Sequence, residues 1–140
     1  MMLSYTIKAK STHGGDAIVE ANNGSFIFDA SAGRKDGLPN PAELLLSALA
    51  ACVLKNVERF SEILKYDYTQ ASISIKGVRN DNPPFMSSIN YKLQVESDMD
   101  ESKLNLLHKN ILKFGTITNT LAKATELNGT IEFLNKSENK

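Results

Sequence analysis

The 140-residue sequence holds one cysteine, Cys52, and no tryptophan. A lone thiol allows no disulfide within the chain and cannot build a cysteine-rich zinc site. An excess of either charge is lacking too, since 16 Lys+Arg balance 16 Asp+Glu. Nucleic-acid binders carry a basic excess or a Lys/Arg stripe, so that class is disfavoured. Long hydrophobic runs are missing as well. The longest, Leu44 to Leu54, is interrupted by Ser47 and falls far short of the ~20 residues of a membrane span. The start, Met1 to Thr6, lacks the cationic and apolar segments of a signal peptide. These absences predict a cytoplasmic protein with a reduced thiol and neither membrane nor nucleic acid as partner. His13 and His108 have no i, i+4 companion, and Gly14-Gly15 resembles no phosphate loop, so no metal and no cofactor is expected.

What is present fits an ordinary globule, 41% hydrophobic and 23% charged. The length suits a single domain, read here as 1–134 with a polar tail at 135–140. Leu3, Tyr5, Ile7 and Ala9 alternate with polar neighbours, the period of a strand with one buried face. Asn22-Asn23-Gly24 separates Ala17–Ala21 from Ser25–Ala30 and reads as a hairpin turn. A polar loop, Ala30 to Asn40, follows and contains Arg34.

Next comes a long helix whose start is well marked. Asn40 suits the N-cap, Pro41 the first helical position, and Glu43 stands where its carboxylate can return to the cap N–H. The pattern continues to about Lys65, roughly 37 Å of helix at ~1.5 Å per residue. Its first half, Leu44 to Leu54, is apolar or small on every side. A helix that is apolar all round needs cover all round, which predicts that a second copy supplies it in an obligate homodimer.

Two strands, Ser72–Arg79 and Met86–Ser97, are expected around a turn at Asn80-Asp81-Asn82-Pro83-Pro84. A second capping box at Asp98-Met99-Asp100-Glu101 opens a helix with Leu104, Leu107 and Ile111 on one face, ending at Gly115. A short helix, about Thr118 to Ala124, then leads through an Asn128-Gly129 turn to a last strand, Thr130 to Leu134.

Cys52 is the strong nucleophile candidate by residue type, because thiolate is the reactive form. It lies too far into the helix, about 16 Å past Pro41, for the dipole to activate it. Arg59 returns to nearly the same helical face two turns on. A second reading makes Cys52 a small core residue, since free cysteine is often buried. Glu43 likewise has a sufficient role as a helix cap.

The segment Asn40-Pro41-Ala42-Glu43-Leu44-Leu45-Leu46-Ser47-Ala48-Leu49-Ala50-Ala51-Cys52 resembles the central-helix signature of the OsmC/Ohr family, the osmotically induced and organic-hydroperoxide-resistance proteins. The likeness extends over nearly the whole chain. It implies an α+β fold with antiparallel sheets and a long central helix, interlocked in a homodimer. It also implies thiol-dependent reduction of organic hydroperoxides with Cys52 as the catalytic thiol. The family's resolving cysteine corresponds to Gly115, so recycling falls to an external thiol reductant. The family's glutamate falls at Ala42, one residue before Glu43, and no arginine precedes Arg34. Arg34, Arg59 and Glu43 are therefore the candidate supporting residues. The alternative is a dimer of this fold that has lost the peroxidase and binds an apolar small molecule.

Overall fold

The computed structural model describes residues 2–134. The tail predicted at 135–140 lies outside the described residues. The chain divides into two units, the first ending at Leu45 and the second beginning at Leu46.

The first unit carries a three-stranded antiparallel sheet, β1 (Lys8–Ser11), β2 (Asp16–Ala21) and β3 (Gly24–Asp29), in the order β1-β2-β3. The β2–β3 hairpin closes as the Asn-rich signal requires. Asn22 (φ 49°) and Asn23 (φ 63°) both adopt the left-handed conformation, the pattern of a two-residue turn that matches strand twist. The first strand starts later than the alternation at Leu3, Tyr5 and Ile7 suggests. Lys8 pairs with Glu20 near the far end of β2, and Leu3, Tyr5 and Ile7 stay exposed. Alternation describes a strand with a covered face, and here the residues ahead of Lys8 have no cover.

Helix α1 (Pro41–Leu64) begins at the expected cap. Asn40 N–H donates to Glu43 Oε1 at 3.0 Å and Glu43 N–H donates to Asn40 Oδ1 at 2.9 Å, a reciprocal capping box. The helix ends in a reversal in which Lys65 takes φ 59° and Tyr66 N–H reaches the Ser61 carbonyl. Leu49, Val53, Asn56, Val57 and Phe60 form its buried stripe.

The second unit adds β4 (Gln70–Asp81), β5 (Pro84–Glu96), α2 (Glu101–Phe114), α3 (Thr116–Ala122) and β6 (Glu126–Phe133), with sheet order β4-β5-β6. Its core joins the α1 stripe to Ile89, Tyr91, Leu93 and Val95 of β5, Leu104, Leu107 and Ile111 of α2, and Leu121 of α3. The mixed α+β class agrees with expectation, and several boundaries do not. The β4–β5 strands run further into their turn, pairing up to Asp81 with Pro84, and close through a cis Asn82–Pro83 bond. Helix α2 is capped two residues later than predicted, by Asp100, whose side chain accepts from Lys103 N–H. Helix α3 starts two residues early, because Gly115 caps the end of α2 and the start of α3 at once.

The last strand carries the largest correction. Asn128-Gly129 is strand interior, and β6 pairs with β5 in parallel. The antiparallel expectation therefore holds for β1–β2, β2–β3 and β4–β5 only. Two helices stand between β5 and β6, and a crossover of that kind returns the chain to the same end of the sheet. Gly129 lies opposite Tyr91, and a Cβ at that position would overlap the Tyr91 ring. Glycine serves there to let a ring lie flat across the neighbouring strand, not to turn the chain.

Candidate functional site

Cys52 sits in mid-α1, half-buried, one turn before Asn56 and beside the α2–α3 junction. The Asn56 side chain is 8% exposed. Its Nδ2 donates to the Cys52 carbonyl at 2.9 Å and approaches Cys52 Sγ at 3.7 Å. From the other side comes Gly115: a Cβ built there would stand 3.2 Å from Cys52 Sγ. The same Cβ would overlap Thr118 Oγ1. That hydroxyl, on a residue 1% exposed, donates to the Gly115 carbonyl at 3.1 Å, with the Ile111 carbonyl at 3.4 Å. Position 115 thus faces the sulfur directly, with a buried hydroxyl filling the space a side chain would use.

Arg34 and Glu43 meet within the first unit. Arg34 Nη2 lies 2.7 Å from Glu43 Oε1 and 2.8 Å from Oε2, one nitrogen shared between both carboxylate oxygens. The Arg34 bond, followed by the Asn40 N–H, lowers the Glu43 carboxyl below its usual range, and the same bond raises the guanidinium. Both side chains are about half exposed, so the pair orients more than it stabilises. Glu43 therefore serves as cap and arginine partner together.

The loop that carries Arg34 is held by Asp29, which sequence reading passed over. Asp29 is 2% exposed. Its carboxylate accepts from Ser31 N–H (2.9 Å), Ser31 Oγ (2.6 Å) and Lys35 N–H (2.8 Å). These bonds, that from Lys35 foremost, hold its pKa down at about 2. An aspartate two residues before a serine is the available sequence signal, since such side chains close turns on their own backbone. Lys35 in turn pairs with Asp16 at 2.5 Å.

Arg59 makes its contact elsewhere than the sulfur, with its guanidinium 5.4 Å from the centroid of the Phe60 ring. Phe60 packs at a tilt against Phe114, the residue immediately before Gly115, with ring centroids 6.0 Å apart. His108 is half-buried: its Nε2 shares a 2.6 Å hydrogen bond with Tyr91 OH, the rings meeting edge to face. Burial lowers the imidazole and pushes the phenol up to about 12. Among the described residues no group of three His, Cys, Asp or Glu could hold a metal ion, and no helix is long and apolar enough to cross a membrane.

A family model described as "OsmC-like protein" matches residues 33–129. The chain belongs to the OsmC-like family. Solved OsmC-like structures share its fold at low identity. An OsmC-like protein of Mycoplasma pneumoniae superposes with a TM-score of 0.87 at 19% identity, covering 96% of this chain and 100% of that one. An organic hydroperoxide resistance protein OsmC of Legionella pneumophila gives 0.70 at 17% identity, covering 94% and 99%. The organic hydroperoxide resistance protein OhrB of Bacillus subtilis gives 0.66 at 13%, covering 93% and 98%. A search of curated proteins found no match. The OsmC-like match takes in Arg34, Glu43, Cys52, Arg59 and Gly115, and ends at Gly129.

Proposed function

We propose that this OsmC-like protein reduces organic hydroperoxides through Cys52, using an external thiol as reductant. The observation that carries the reading is the 3.2 Å approach of the Gly115 Cβ position to Cys52 Sγ. In the family that Cys52 and its helix resemble, position 115 belongs to the resolving cysteine. The cysteine thiolate attacks the terminal oxygen of ROOH, the O–O bond breaks, and RO⁻ leaves and takes a proton as alcohol. Sulfur, oxidised by two electrons, remains as Cys52–SOH. With glycine at 115, a first external thiol condenses with the sulfenic acid, releasing water and forming a mixed disulfide. A second thiol displaces Cys52 as thiolate and leaves as the external disulfide.

Arg34, steadied by Glu43, is the proposed source of positive charge, contributed from either chain of a homodimer. Support for the homodimer comes from apolar surface that one chain leaves uncovered, including Tyr5 (83% exposed), Ile27 (59%) and Leu45 (38%). The proposed setting is a reducing cytoplasm, where the thiol pool recycles the protein.

Hydroperoxide consumption with dithiothreitol tests the reading. The full chain is expected to turn over cumene hydroperoxide and Cys52→Ser to lose that activity at least a hundredfold. Equal rates for the two proteins would overturn it. So would a parent protein that retains a free thiol after excess hydroperoxide, an outcome favouring a fold kept for binding an apolar molecule.

A further inference from the structure

The buried stripe of α1 reads Leu49, Val53, Asn56, Val57, Phe60. Four members are apolar and one is a carboxamide, 8% exposed. Asparagine is a weak helix former, and a buried amide is costly unless it is hydrogen-bonded. Leucine would suit this position better as packing. The amide lies one turn from the chain's single thiol, with Nδ2 at 3.7 Å from its sulfur and at 2.9 Å from its carbonyl oxygen. The carbonyl bond fixes the carboxamide so that its NH₂ group stays beside Sγ.

We infer that Asn56 is a hydrogen-bond donor to the reacting sulfur, stabilising the Cys52 thiolate and, after reaction, the sulfenate. The inference rests on Cys52 being the reactive thiol. An N–H directed at sulfur favours its anion over its thiol, because the anion accepts a stronger bond.

Four charged side chains near the sulfur on its flanking elements have other placements. On α1, Lys55 and Glu58 are exposed, the Tyr68 hydroxyl bonds to Glu58, and the Arg59 guanidinium lies over Phe60. At the α2–α3 junction, the Lys113 ammonium lies over Phe114, and Thr118 gives its hydroxyl to backbone carbonyls. Asn56 Nδ2 is the donor placed against Sγ, at 3.7 Å.

Iodoacetamide alkylation of the intact protein between pH 5 and 10, alongside thermal melting, tests this. Asn56→Leu is expected to move the alkylation midpoint up by about one unit, because it removes a donor from the charged form. Asn56→Asp keeps the shape, replaces the NH₂ group with a negative oxygen, and is expected to move the midpoint further up. A role confined to packing lowers the melting temperature of both variants and leaves the midpoint in place, which overturns the inference.

A measurement on the unaltered protein decides the matter even if the variants do not fold. The Asn56 carboxamide protons are expected to shift in an NMR titration with the same midpoint as Cys52 alkylation. Resonances that stay flat across that midpoint overturn the inference. A midpoint that moves in the variants, with a parent protein that consumes no hydroperoxide, upholds the Asn56 bond and rejects the proposed function instead.

Discussion

Position 115 shows how much one missing side chain alters the chemistry available to its neighbour. The backbone places that residue against Cys52 Sγ, yet glycine offers no sulfur to condense with a sulfenic acid. The 3.2 Å from a Cβ at 115 to Sγ is close to the reach across a disulfide, whose S–S bond is about 2.05 Å. Gly115→Cys is therefore expected to form a disulfide with Cys52 on mild oxidation, provided the Thr118 hydroxyl turns away and the Ile111 carbonyl, 2.8 Å from that Cβ, gives way. Intact-mass spectrometry should find two hydrogens lost and no thiol open to alkylation. Two free thiols under conditions that oxidise a model dithiol would place position 115 away from the sulfur. Cys52 could be picked out from sequence as the chemical candidate. Its contact with residue 115, 63 positions further along the chain, depends on where α2 ends and α3 begins.

Secondary-structure elements were legible where their signal is local. The Asn40–Glu43 capping box and the Asn22–Asn23 turn each involve residues at most three apart, and both stand as read. Asn128-Gly129 has the same local look and a different cause. Its glycine answers to Tyr91 on β5, 38 positions away and paired with it in the sheet. Gly129→Ala is accordingly expected to destabilise the protein by about 1–3 kcal/mol, the usual cost of overpacking. Gly24→Ala, whose Cβ would meet only the Ala21 carbonyl oxygen at an ordinary 3.6 Å, should cost less. Urea unfolding of the two variants compares them, and equal midpoints would show that the Tyr91 ring yields without strain.

For the whole molecule, pH acts through the part-buried Tyr91–His108 pair. Burial lowers the His108 pKa below its ordinary 6.5, so the unfolded chain takes up a proton first as pH falls. This contribution to stability is complete above pH 6.5 and is lost progressively below it. Asp29 acts in a lower window: its carboxylate, held at about 2 against 3.8, sustains the fold until pH drops through 3.8. Between pH 6.5 and 5 the melting temperature is therefore expected to fall, and His108→Gln should flatten that slope. A variant with the parent's slope would assign the loss to another group.

The α+β class, the capped long helix, the lone nucleophile candidate and the family likeness could all be read from the residues alone, because each is written in adjacent residues or in a short repeating period. The parallel pairing of β6, the Asp29 clasp on the Arg34 loop, the Tyr91–His108 bond, and the meeting of Cys52 with Gly115 emerge only in the folded chain. These join residues whose separation along the chain carries no period. Only the packing of helices on a sheet brings such groups within hydrogen-bonding or van der Waals distance.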